Sequence, residues 1–151
     1  MCADKAPTLP PYEPDERYEK LNTWIGDSEE THWSAYTTEL VAITVLCDFT
    51  PVQWSRLEAT VLTKPEYWQQ RCAVSLGEDR SAAALDILKL MLLKSVYTDV
   101  RIMCIYELDW AEIPIERLYV SSIKDVINSL PVERVEPELK SLLAKAESAA
   151  Q

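Results

Sequence analysis

Residues 84–93 constrain the fold more than any other stretch. Ala84, Leu85, Ile87, Leu88, Leu90, Met91, Leu92 and Leu93 are apolar nearly all the way round a helix, and Asp86 and Lys89 leave only a narrow polar stripe. Such a helix must be covered on several sides, so it has to be sandwiched between neighbours. It is too short and too interrupted by charge to span a membrane. No run of about eighteen apolar residues occurs elsewhere in the chain.

The rest of the chain supplies the neighbours. Asp15, Glu16 and Glu19 suit a helix start, and Tyr18, Leu21, Trp24 and Ile25 share one face until Gly26 stops the helix. Ser28 reads as the next N-cap, with Trp33, Tyr36, Leu40, Ile43 and Cys47 facing inward over a helix to about residue 47. Thr50-Pro51 opens a helix with Trp54, Leu57, Val61 and Leu62 inward, and Lys64-Pro65 breaks it. Trp68, Cys72, Val74 and Leu76 belong to a helix that Gly77 closes, and Asp79 or Ser81 opens the apolar one. Thr98 or Asp99 caps a helix carrying Val100, Ile102, Met103, Ile105, Tyr106 and Leu108. Pro114 starts another, with Ile115, Leu118, Tyr119, Ile123, Val126 and Ile127, which Leu130-Pro131 stops. The last runs from about Pro137 through Ala146. No two-residue hairpin turn joins any two of these segments. The expectation is an all-α protein of about eight helices. A flexible Pro-rich leader over residues 1–13 would precede a single helical domain over 14–147.

A shift of 32 residues brings Cys72 onto Cys104, Leu76 onto Leu108 and Gly77 onto Asp109. Each unit is a helix, a turn with a breaker and a second helix. Asp99-Val100-Arg101 with the small and apolar residues after it, and Leu76-Gly77 in the earlier unit, resemble the HEAT-like α-helical repeats over roughly residues 50–130. Gln69 stands where the repeat expects Arg in the first unit, and Asp109 replaces Gly in the second. The resemblance implies antiparallel helix pairs stacked as a short solenoid with a long binding surface. A compact helical bundle satisfies the same amphipathic pattern.

Missing residues exclude several chemistries. The chain has 2 glycines and 1 histidine. A Gly-rich phosphate cradle is therefore excluded, as are zinc sites built on several histidines. Glu29 and His32 have the Glu-x-x-His spacing of a di-metal bundle, but that site needs a second histidine. No cofactor and no metal is expected. Cys47, Cys72 and Cys104 sit among apolar neighbours and read as small buried hydrophobes. Adjacent carboxylates such as Glu29-Glu30 and Glu78-Asp79 suit helix starts and a solvated face rather than a catalytic dyad, so no enzymatic activity is expected.

Charge points toward the partner. The formal net charge is −10, and residues 1–50 hold 3 basic and 10 acidic side chains. No Lys/Arg cluster is present to meet phosphates, so no nucleic acid is expected. The start, Met1-Cys2-Ala3-Asp4-Lys5, has no apolar segment, which sets an expectation of a cytoplasmic location without a membrane. The chain has 5 tryptophans and 7 tyrosines against 1 phenylalanine. Trp and Tyr join apolar area to a polar handle and favour binding hot spots. Trp110 falls in an expected inter-helix turn between Asp109 and Glu112, where it could meet Arg or Lys. The candidate partner-binding residues are Asp27, Glu29, Glu30, Trp33, Asp109, Trp110 and Glu112. By type rather than by motif, the chain is similar to bacterial immunity proteins that neutralise a basic toxin, such as a nuclease, by covering its active site. A HEAT-like adaptor that binds a peptide or helix of its partner is the alternative. Neither reading fixes an oligomeric state.

Overall fold

Pro51 and Pro137, each at the first position of its helix, show how local chemistry fixes the element borders. The computed structural model describes residues 15–150, and the leader expected over 1–13 lies outside them. The described residues form eight α-helices and no strand. They are α1 (Glu16–Ile25), α2 (Ala35–Thr44), α3 (Pro51–Thr60), α4 (Glu66–Asp79), α5 (Ala82–Lys94), α6 (Thr98–Trp110), α7 (Val120–Asn128) and α8 (Pro137–Glu147). The chain is an all-α helical bundle.

The helices alternate between two sides of the core. α2, α4, α6 and α8 pack in succession, and α1, α3, α5 and α7 follow one another on the other side. Asp15 accepts from Gln53 Nε2 (2.9 Å), and Tyr18 shares a hydroxyl hydrogen bond with Thr60 (2.7 Å), so α1 and α3 run parallel. α4 and α6 also run parallel, because Gln69 meets Ser95 near their starts and Gly77 meets Glu107 near their ends. α5 packs against α3, α4, α6 and α7, but its all-round apolar pattern does not bury it completely: Leu93 is exposed on the face that carries Ala82 and Asp86. Its Ala84, Leu88, Met91 and Leu92 are completely buried. Ser81 caps it by accepting from Ala84 N–H (3.2 Å).

The 32-residue correspondence has a physical counterpart. Gln69, fully buried, donates to Lys64 O (2.9 Å) at the end of the preceding helical segment. Arg101, its counterpart, donates from Nε to Leu92 O (2.9 Å) in the preceding helix and from a terminal nitrogen to Ser122 O (3.1 Å) in α7. Both side chains take backbone acceptors that packing would otherwise strand.

Several expectations need correction. α2 begins at Ala35, not after Ser28, because Ser34 and Thr37 form a reciprocal capping box there. Its inward residues are Thr37, Val41 and Ala42, followed by Val45 and Leu46. Tyr36 (69 %) and Ile43 (64 %) are exposed, and so is Cys47, because the opposite side of α2 packs on α4. Gly77 does not stop α4. The helix continues to Asp79, and Arg80 takes the left-handed conformation that ends it (φ 60°). Trp110 belongs to the last turn of α6 rather than to a loop. α7 starts at Val120, after a 3-10 turn at Arg117–Tyr119, and Leu118 faces water.

Candidate functional site

Arg71 builds the first part of the site. It lies on α4, and its guanidinium donates to Ile25 O (2.6 Å), Glu29 O (2.8 Å) and Thr31 O (2.8 Å). The same guanidinium lies 5.6 Å from the Trp33 ring centre and 5.2 Å from that of Tyr67. Tyr67 in turn donates its hydroxyl to Gly26 O (3.1 Å). Gly26 has φ 91°, a backbone shape that suits glycine, and Thr31 crowds the space where a Cβ would stand. The α1–α2 loop is thus held by its main chain, while Asp27, Glu29 and Glu30 remain exposed.

Beside this loop, α2, α4 and α6 enclose a groove of about 570 Å³. Val74 on α4 and Met103 on α6 supply apolar lining, and Trp33 and Ala35 supply more from the start of α2. Trp33 is half-buried, and its indole N–H donates to Thr38 Oγ1 (3.0 Å). Glu39 and Glu78, both exposed, add acidic groups to the groove lining. Arg71 also lines it, but with its donors turned onto the loop carbonyls.

Glu107 on α6 lies against Gly77 of α4, close enough to Glu78 to feel its charge. A Cβ on Gly77 would collide with the Glu107 carboxyl group, so glycine makes room for that side chain. Burial pushes the Glu107 carboxyl up to about 7, Arg80 opposes the shift and Glu78 reinforces it. The arrangement favours the protonated form of Glu107 at slightly acid pH, between Arg80 and Glu78.

The sequence candidates divide into two groups that the fold does not bring together. Asp27, Glu29, Glu30 and Trp33 stand where the loop meets the N-terminal half of α4. Trp110 and Glu112 stand beyond Glu107, at the far end of α6. Arg71 and Gly77 are six residues apart, about 9 Å along α4. Trp110 is 72 % exposed, and Glu112 is exposed with φ 55°. Asp109 is not free for a partner. Its carboxylate accepts from Ser141 Oγ (2.7 Å) and from Lys145 Nζ (2.9 Å), which ties α6 to α8.

Sequence reading missed Glu39, Val74 and Met103 as lining of one groove, and Glu107 against Gly77. A visible signal was Gly77 itself, since glycine inside a helical pattern marks a close approach. The thiols of Cys72 and Cys104 are both buried, and burial pushes Cys72 up to about 12 and raises Cys104 as well. Neither is a ready nucleophile. Among the described residues, no group of three or more His, Cys, Asp or Glu is placed to hold a metal ion. No described helix is long and apolar enough to cross a membrane. No family model, no curated protein and no solved structure matches this chain.

Proposed function

We propose that this chain is a non-enzymatic, acidic protein of the immunity type, which binds a basic toxin in the cytoplasm and neutralises it by covering its active site. One observation carries the reading: among the described residues exposed acids far outnumber exposed cations, and several cations are held by backbone carbonyls or by acids of the chain itself. Arg71 and Arg101 spend their guanidinium groups on backbone carbonyls, as does Arg117, which donates to Glu147 O (2.6 Å). Lys145 is committed to Asp109, and Lys89 pairs with Glu116 (3.1 Å). Most of the described carboxylates are exposed, including Asp27, Glu29, Glu30, Glu39, Glu78 and Glu112. A surface of this kind steers a basic partner and repels other acidic proteins. Trp110 adds an aromatic anchor beside Glu112 for an Arg- or Lys-rich contact.

The experiment is affinity capture from source-cell lysate, washed at low and at high salt, followed by an activity assay on the captured protein. The reading expects one basic protein, weakened by salt, whose activity falls as this chain is added up to equal amounts. A captured protein that stays fully active when saturated overturns neutralisation.

The second reading is an adaptor on HEAT-like stacked helices. The groove between α2, α4 and α6 favours it, because such a groove suits a helix or peptide segment. It expects several partners in the same capture, where neutralisation expects one.

A further inference from the structure

We propose that the groove between α2, α4 and α6 is the docking site for an amphipathic, basic helix of the partner. The proposal rests on the reading that the partner is a basic protein, and it names the surface and the chemistry of contact. The α4 side of the groove is formed by Gln70, Arg71, Val74 and Glu78, successive positions on one helix face. Residues 70 to 78 span about 12 Å, the length over which an incoming helix presents anchors at i, i+4 and i+7.

Charge decides among occupants. Among the described residues neither Glu39 nor Glu78 on the groove forms an ion pair, while Arg71 directs its terminal nitrogens to Ile25 O, Glu29 O and Thr31 O. Arg80, near Glu107, is engaged as well, donating from Nε to Gly77 O (2.9 Å). The groove therefore pairs apolar lining with two exposed carboxylates against the single charge of Arg71, an acidic surplus that complements a helix with Leu-type residues on one face and Lys or Arg along its borders. A second copy of this chain would bring a net charge of −10 to the same carboxylates. Residues 1–14 carry Asp4 and Glu13 against Lys5, so they bring no surplus of positive charge. The described residues contain no strand, so an extended peptide has no sheet edge to join here.

The probe is a synthetic amphipathic helical peptide of Leu and Lys. A scrambled peptide of the same composition and a Leu/Glu peptide of the same pattern are the controls. Binding to the full chain is titrated at an ionic strength of about 0.15 M, where charge attraction beyond about 8 Å is screened. The readout is the Trp33 indole N–H signal in NMR, assigned by its loss in Trp33→Phe. The patterned Leu/Lys peptide is expected to shift that signal and to bind at least about tenfold more tightly than the scramble, a difference of about 1.4 kcal/mol. The Leu/Glu peptide is expected not to bind. Ala35→Trp fills the groove mouth from an exposed position, and the double variant Glu39→Lys, Glu78→Lys reverses the carboxylates. Each is expected to weaken the patterned peptide at least about tenfold while circular dichroism and thermal midpoint stay those of the parent. If both folded variants bind as the parent does, the groove is not the site, yet the basic-partner reading stands. If neither Leu/Lys peptide binds the parent, the groove proposal is overturned, while the basic-partner reading is decided by the capture experiment alone. If the Trp33 signal moves with protein concentration alone, the groove belongs to a second copy and the proposal is overturned.

Discussion

α2 and α5 are equally apolar in composition, and neither shows a strong one-sided pattern. Their positions differ. α5 has helices on several sides, and of its large apolar side chains only Leu93, beside Asp86 on the outer face, is exposed. α2 stands at the edge of its row, packed mainly on α4, and has to choose a face. It buries Val41 and Ala42 and leaves Tyr36 and Ile43 in water. Apolar content therefore dictates burial where neighbours surround a helix, but not where only one side is covered. At such an edge, the fit against the neighbour decides.

Substitutions can break that contrast, and the largest effect belongs to the centre. Leu88→Ala in α5 removes a fully buried side chain, and urea denaturation should show a loss of about 2–5 kcal/mol. A loss below about 1 kcal/mol would mean that α5 is not the packed centre. Gln69→Ala comes next. It strands the Lys64 carbonyl and the Ser95 hydroxyl, which donates to Gln69 Oε1 (2.8 Å), and should cost about 1–3 kcal/mol. Gln69→Glu keeps the acceptor for Ser95 but loses the donor, and should not restore the stability.

Glu107 gives a smaller effect with a definite sign. The unfolded chain releases this proton near 4.5, whereas the folded chain holds it up to about 7. The folded state therefore binds more protons between those values, and the Glu107 contribution to stability falls as pH rises through that window and is constant above it. Glu107→Gln should remove that part of the slope in denaturation curves taken across the window. A variant with the parent's slope would place Glu107 in water. Gly77→Ala is the structural companion, because the new methyl displaces the Glu107 carboxyl toward solvent and should flatten the same slope. The smallest effects are expected on the outer face of α2. Tyr36→Ala and Ile43→Ala should each change stability by no more than about 0.5 kcal/mol. A cost like that of Leu88→Ala would erase the distinction between edge and centre.

The same distinction explains what was legible in the sequence. Pro51, Ser81 and Pro137 act on the residues beside them, so the start of α3 could be read directly and those of α5 and α8 to within a residue or two. The apolar run of α5 needed no choice of face. The start of α2 was misread because Ser28 and Ser34 both precede plausible helical turns, and the choice rests on Thr37 completing the capping box. Asp109 looked exposed because its partners, Ser141 and Lys145, are more than thirty residues away in sequence. The groove escaped for the same reason. Trp33, Val74 and Met103 come from the α1–α2 loop, α4 and α6, and periodicity within one segment carries no record of the others. Charge survived the passage to three dimensions only in part: the acidic surplus is on the surface, but the acids singled out as candidates divide between the α1–α2 loop and the end of α6.

The grip of Arg71 on the α1–α2 loop separates two jobs that usually compete. A loop shaped by its own side chains cannot change them without losing its form. Here the shape is set from outside, through Ile25, Glu29 and Thr31 carbonyls that every residue type except in backbone strain would offer equally. Asp27, Glu29 and Glu30 can then be exchanged one at a time while the loop keeps its place. Recognition could be retuned toward a new partner by small steps, none of which would have to pass through an unfolded ancestor.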